Sequence, residues 1–254
     1  MSRTLRVHFL PNCIEPAELR GSVAVMIDVL RASTTIVHAL SAGATAVVPF
    51  ADVESARRFA ANPEADPVVL GGERDGVRIE GFDLDNSPLR YVPETVGGKT
   101  VAFTTTNGTR ALERCRKADR VLIGAFVNRG AIVRELLSET RPVHLVCAGT
   151  RGRVTAEDVF FAGAVAIALV ESETEIDLTD DATRMAIDLY RTRVESDADL
   201  LDAIRDSHGG RNLTRLGFDA DIARAATCDL FNLVPEWDQE SNRVTSAACR
   251  FAAQ

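Results

Sequence analysis

The chain has 254 residues, 46% hydrophobic and 26% charged, which supplies a sizeable core and excludes a disordered or low-complexity protein. A formal net charge of -8 excludes a general nucleic-acid binder, since such proteins displace counterions with a clustered positive field. Any anionic ligand must therefore meet positive charge that is local.

The opening MSRTLRVHFLPN is too poor in apolar residues for a signal peptide and leads into a strand-like run at Leu5 to Leu10. Further short runs rich in Val, Ile, Leu and Phe predict strands at Val23 to Ile27, Ala46 to Phe50, Val68 to Leu70, Thr100 to Phe103, Arg120 to Ile123 and Val143 to Val146. Helical patterns fall between them at Thr34 to Ser41, Val53 to Ala60, Gly108 to Lys117 and Asn128 to Glu139. Alternating strand and helix means a layered α/β sheet. Gly71 to Pro88 breaks the rhythm and reads as a long loop over the sheet, a segment type that is often functional. Val159 to Val170 falls short of the roughly 20 apolar residues that span a bilayer and reads as a buried helix, so no membrane span is expected. Beyond Val170 no further strand is expected. Thr179 to Arg193, Asp197 to Arg205 and Asp219 to Cys228 read as helices, with Asp219 as an N-cap and Gly217 stopping the short helix before it. Residues 171–254 could form a helical subdomain or further helices on the sheet. The five cysteines, Cys13, Cys115, Cys147, Cys228 and Cys249, are odd in number and show no CxxC spacing, which points to reduced thiols in a cytoplasm.

Three strand-to-helix turns concentrate hydroxyls, glycines and arginines: IDVLRASTT, TTTNGTRAL and CAGTRGRVTAED. Together they suggest one pocket holding an anion with backbone N–H groups and guanidinium forks. Asp28, directly after a fully apolar strand, is the leading candidate for a metal ligand or catalytic carboxylate, with pairing to Arg31 as its structural explanation. Ser33, Thr34 and Thr35 could donate to a phosphate, although plain N-capping needs only one of them. Glu73, Arg74, Asp75, Asp83 and Asp85 crowd the long loop and suit a hard cation such as magnesium better than zinc, or else form a solvated face. DLDNS lacks the buried strand that should precede a DxDx[ST] phosphatase nucleophile. Glu157 and Asp158 sit where acids meet a helix dipole, a complete structural explanation by itself. Cys147 and Arg153 have the C-x5-R spacing of cysteine phosphatases, but Val154 stands where those enzymes carry Ser or Thr. The four histidines lack zinc spacing, and among them His208 lies beside a flexible turn.

Taken in order, IDVLRASTTI, GGERDGVRIEGFDLDNSP, TTTNGTRAL, CAGTRGRVTAEDVFFAG and SHGGRNLTRLGFDADIARAATCD resemble the 2-phosphosulfolactate phosphatase family, from about Val23 to about Pro235. The resemblance implies a single three-layer α/β/α phosphatase domain over 1–254, with a mixed, largely parallel sheet and a helix-rich C-terminal part. It also implies magnesium-dependent release of phosphate from 2-phospho-3-sulfolactate, giving 3-sulfolactate for coenzyme M. Carried onto the matching positions, Asp28, Glu73 and Asp158 would hold magnesium, with Asp28 or Glu73 orienting water or Asp28 forming a phosphoaspartyl intermediate. Arg31, Arg74, Thr105, Asn107, Gly108 and Thr109 would grip phosphate or sulfonate, beside Ser33 and Thr34. DLDNSP departs from the family's GNSP at Asp85. A cysteine phosphatase using Cys147 and Arg153, and a non-catalytic anion-binding protein, are the rival readings. The partner in each is a small anionic molecule, and self-association into a homo-oligomer is compatible with the sequence.

Overall fold

The computed structural model describes residues 3–62, 66–172, 176–178 and 180–246. The first half of the chain gives β1 (Arg3–His8), β2 (Val23–Ile27), α1 (Ala32–Ser41), β3 (Ala46–Pro49), α2 (Val53–Ala60), β4 (Val68–Arg74), β5 (Val77–Arg78), α3 (Pro93–Val96), β6 (Thr100–Thr104) and α4 (Gly108–Arg114). The second half gives β7 (Arg120–Gly124), α5 (Arg129–Leu137), β8 (Val143–Cys147), α6 (Ala156–Ser172), β9 (Ile176–Asp177), α7 (Asp181–Arg193), α8 (Asp197–Asp206), α9 (His208–Arg215), α10 (Asp219–Ala225), β10 (Pro235–Asp238) and β11 (Arg243–Ser246).

All the described strands join one sheet in the order β5-β4-β6-β3-β11-β10-β7-β2-β8-β1-β9. Helices cover both faces of this mixed, mostly parallel sheet, as expected of an α/β/α fold. The centre is β2, apolar at every position and buried at every position, as a strand covered on both faces must be. Val23, Val25 and Ile27 pack with Phe161, Val165 and Leu169 of α6, while Ala24 and Met26 face Ile36 and Leu40 of α1. Leu200, Ile204, Leu213 and Ile222, from α8, α9 and α10, pack in the cluster that contains Val25 and Ile27.

Two parallel groups, β4-β6-β3 and β7-β2-β8-β1-β9, are bridged by the antiparallel hairpin β10-β11. Three antiparallel steps reverse the nominal strand direction between the groups. Residues at or following the carboxyl ends of β2, β4, β6 and β8 nevertheless line one cleft. Within the second group the ends are level, with Ile27 in register with both Gly124 and Cys147.

Several expectations are corrected. Strands continue past Val170: β9 extends the far edge, and β10 and β11 fill the middle of the sheet. Their PEWD and RVTS sequences are polar enough to read as loop, and they become strands because the two groups offer them unpaired edges on either side. Part of the expected loop from Gly71 to Pro88 is instead the end of β4 and its antiparallel partner β5. Asp219 lies in the first turn of α10, which Phe218 precedes as N-cap, whereas Gly217 adopts φ +80 after α9 as a stop residue should. Thr179 and Cys249 lie outside the described residues. Among the described residues, no helix is long and apolar enough to cross a membrane.

At the carboxyl end of β1, His8 stacks on His144 with ring centroids 5.1 Å apart, and the His8 Nε2 and His144 Nδ1 atoms share a hydrogen bond of 2.9 Å. Burial is the main force that pushes both imidazoles from 6.5 down to about 4. The unfolded chain therefore binds more protons than the folded one between these values. The pair's contribution to stability is complete above about pH 6.5 and is lost as pH falls towards about 4. Urea midpoints measured across this window should fall with acidification, and a His8→Leu/His144→Leu variant should flatten the slope.

Candidate active site

The cleft encloses about 140 Å³ and is lined by Asp28, Leu30 and Arg31 after β2, Glu73, Asp75 and Gly76 around the β4-β5 turn, and Asn86. Thr106 and Asn107 come from the β6-α4 turn, Thr150 and Arg151 from the loop after β8, and His208, Gly209, Asn212 and Leu213 from α9.

Asp28 is 7% exposed and occupies the meeting point of two helix N-termini. Its Oδ1 accepts the Ala32 N–H of α1 at 3.3 Å. Its Oδ2 lies against Gly108, the first residue of α4: a Cβ there would sit 2.8 Å from this oxygen and 2.6 Å from the Ala32 Cβ. Only glycine lets α4 approach so closely. Burial raises the Asp28 pKa from 3.8 to about 7, against the Ala32 N–H, and the charges of Glu73 and Glu157 push in the same direction as burial. Burial thus favours the protonated form of Asp28 in the metal-free protein.

The expected magnesium set of Asp28, Glu73 and Asp158 does not assemble. Among the described residues, no three His, Cys, Asp or Glu side chains come together as a ligand group. Glu73 and Asp158 are engaged elsewhere. Glu73 accepts the backbone N–H of Thr106 and of Gly76, each at 2.7 Å, and so joins the β4-β5 turn to the β6-α4 turn. Asp158 accepts from the Val29 N–H at 2.8 Å and the Gly149 N–H at 3.0 Å, tying the loops after β2 and β8 together beneath the cleft. Burial, with Glu157 and Asp28 adding repulsion, holds its pKa well above the ordinary carboxylate range.

Most of the expected anion-binding hydroxyls face inward. Ser33 Oγ contacts the Asp28 N–H and the Met26 carbonyl, and Thr34 Oγ1 donates to the Val29 carbonyl at 2.8 Å. Both are fully buried and lie outside the cleft lining. Thr105 and Thr109 hydrogen-bond one another in the first turn of α4, with the Thr109 N–H on Thr105 Oγ1. Arg74 donates to the Glu73 carbonyl and to Thr104 Oγ1. Arg31 does line the cleft, but its ion-pair partner is Asp221, not Asp28. Asn107 also lines it and accepts the Arg151 N–H at 3.0 Å.

The cysteine reading fails on geometry and on charge. Cys147 is fully buried in the sheet core, and neither it nor Arg153 lines the cleft. Burial, reinforced by Asp158 and Glu157, pushes its thiol well above 9.0, whereas a nucleophilic cysteine needs a stabilised thiolate.

Three residues that sequence reasoning left unassigned to the site, and His208, which its flexible turn could turn towards the pocket, belong to its neighbourhood. Glu157 is 1% exposed, with one carboxylate oxygen against Gly209, where a Cβ would sit 2.2 Å away, and the other without a hydrogen-bond partner. Asn86, 3% exposed and lining the cleft, likewise has an unpartnered Oδ1. His208 and Arg151 stand exposed at the mouth. The NSP turn motif and the helix-dipole position of Glu157 were the available signals, and each has a structural explanation that conceals the site.

A buried acid at the carboxyl end of a central strand, between two helix N-termini, marks this cleft as the candidate active site of an α/β enzyme. The family model for 2-phosphosulpholactate phosphatase matches residues 8–240, and the chain belongs to that family of phosphoric monoester hydrolases. It is 40% identical over 225 residues, 89% of this chain and 91% of the relative, to a protein of Caldanaerobacter subterraneus subsp. tengcongensis named "Probable 2-phosphosulfolactate phosphatase". Proteins bearing the same name in Symbiobacterium thermophilum and Synechococcus sp. RCC307 are 42% and 43% identical, over 87% and 88% of this chain and 94% and 92% of their own lengths.

Proposed function

We propose that this phosphatase hydrolyses 2-phospho-3-sulfolactate, or a closely related small anionic phosphomonoester, to the free hydroxy acid and phosphate, with magnesium as cofactor. The setting would be the cytoplasm and the pathway coenzyme M biosynthesis. The observation that carries the reading is Asp28, a buried cleft-lining carboxylate where two helix N-termini meet. Phosphoryl transfer passes through a loose transition state whose demand is charge stabilisation and alignment. With Oδ1 held by the Ala32 N–H, Asp28 is left with Oδ2 to accept the proton of the attacking water. Helix N-termini around the cleft favour the negative phosphoryl group that water attacks.

The donor set also suits a hard cation. Glu157 and Asn86 each bring a buried oxygen without a partner, and Asp28 adds a carboxylate that Glu157 repels. Magnesium is commonly held by one or two carboxylates plus water and substrate oxygens, so a cage of three acidic side chains is not required. We therefore assign Asn86 and the buried Glu157 as residues that would hold it, with Asp28 reaching it through the water that it orients. When bound, it would neutralise charge on the phosphoryl oxygens.

The test is phosphate release from 2-phospho-3-sulfolactate and a panel of small anionic phosphomonoesters, with magnesium and after exhaustive chelation. Turnover should vanish on chelation and return with added magnesium. Turnover that survives chelation would remove the metal from the mechanism. Binding of anions with no turnover of any ester would favour the non-catalytic reading.

A further inference from the structure

Two guanidinium groups line the cleft, those of Arg31 and Arg151, and their situations are opposite. Arg31 Nη1 donates to Asp221 at 2.7 Å with both side chains 2% exposed, Nη2 donates to the Gly76 carbonyl, and the Phe218 ring covers its plane at 4.3 Å. Opening that pair would strand two buried charges, so Arg31 is fixed. Arg151 pairs across the mouth with Asp75, and these side chains are 66% and 69% exposed. An exposed pair of this kind is weak and exchangeable.

Both partners sit at the tips of tight turns. Thr150 and Arg153 exchange backbone hydrogen bonds around Arg151-Gly152, and β4 and β5 close around Asp75-Gly76. Arg151 and Asp75 hold φ values of +51 and +57, a left-handed conformation uncommon outside glycine. The Arg151 N–H is anchored on Asn107, which fixes the turn over the β6-α4 segment.

We propose that Arg151 is the specificity residue for a second oxyanion on the substrate, a carboxylate or sulfonate distinct from the phosphoryl group, and that Asp75 is an internal competitor which that oxyanion displaces. A planar fork suits such a group, and Asp75 presents the same chemistry to Arg151 when the cleft is empty. The assignment rests on the cleft being the phosphatase site.

Calorimetry in magnesium buffer with two probes, 3-sulfolactate and inorganic phosphate, tests it. Arg151→Gln should weaken 3-sulfolactate about ten- to hundredfold and leave inorganic phosphate within about twofold. Arg151→Asn, suited to the left-handed backbone, should reproduce this if the glutamine variant disturbs the turn. Asp75→Asn should tighten 3-sulfolactate roughly two- to fivefold, an effect that a purely structural ion pair would not give. Equal weakening of both probes, unchanged 3-sulfolactate affinity in the Arg151 variants, weaker binding in Asp75→Asn, or no 3-sulfolactate binding by the wild type would each overturn the proposal. A wild type that binds 3-sulfolactate through Arg151 but releases no phosphate from 2-phospho-3-sulfolactate would leave Arg151 as an oxyanion contact and overturn its role in phosphatase specificity.

Discussion

Asparagine in place of Asp28 is expected to lower kcat by about 10²- to 10⁴-fold, the range lost with a general base, while leaving the fold at least as stable. The two halves of this expectation share one cause. Burial raises the Asp28 pKa from 3.8 to about 7, so the folded state binds this proton more tightly than the unfolded chain does. In metal-free protein the contribution of Asp28 to stability is therefore complete below about pH 4 and is lost as pH climbs towards 7, the range over which the folded carboxylate must ionise. The neutral amide keeps the shape and the Ala32 contact without the charge. Asp28→Asn should flatten that slope and raise the urea midpoint at pH 7. Loss of activity with loss of stability would instead make Asp28 a structural acceptor.

That trade explains why Asp28 was legible in the sequence. A fully apolar strand cannot end in a carboxylate without compensation, and sequence alone shows where the strand ends: β2 runs from Val23 to Ile27 as expected, and α2 from Val53 to Ala60. The same logic fails for Glu157. An acid in the first turn of a long apolar helix needs no further explanation, and only the packing of α9 shows that Gly209 closes over one oxygen and leaves the other unpartnered. Glu73 shows the converse case. Its place among charged residues suggested a ligand, but the turns of β4-β5 and β6-α4 occupy its oxygens with N–H groups, a long-range arrangement that no local pattern encodes. The missed strands β10 and β11 have the same origin, since their pairing is set by the edges of β7 and β3 and not by their own apolar content.

The largest stability effect should come from Asp221, which the sequence reading left unmarked within a C-terminal helix. Its Oδ2 accepts from Arg31 at 2.7 Å and its Oδ1 from Ser87 Oγ at 2.6 Å, so one carboxylate on α10 joins the loop after β2 to the segment after Asn86. Asp221→Ala leaves the Arg31 guanidinium buried against Phe218 without its ion-pair partner. Stranding one member of a buried pair costs about 3–5 kcal/mol, far more than the pair's net contribution relative to a well-packed apolar substitute. Urea unfolding should show that loss as a lower midpoint with little change in slope. A double variant, Arg31→Met/Asp221→Leu, should recover much of it, because removing both charges also removes the desolvation penalty. If Arg31 only holds the cleft wall, through Asp221 and the Gly76 carbonyl, the double variant should regain stability but not full kcat/KM. Full recovery of both would show that the wall stands without it, and failure to recover stability would show that Arg31 is held by more than its charge.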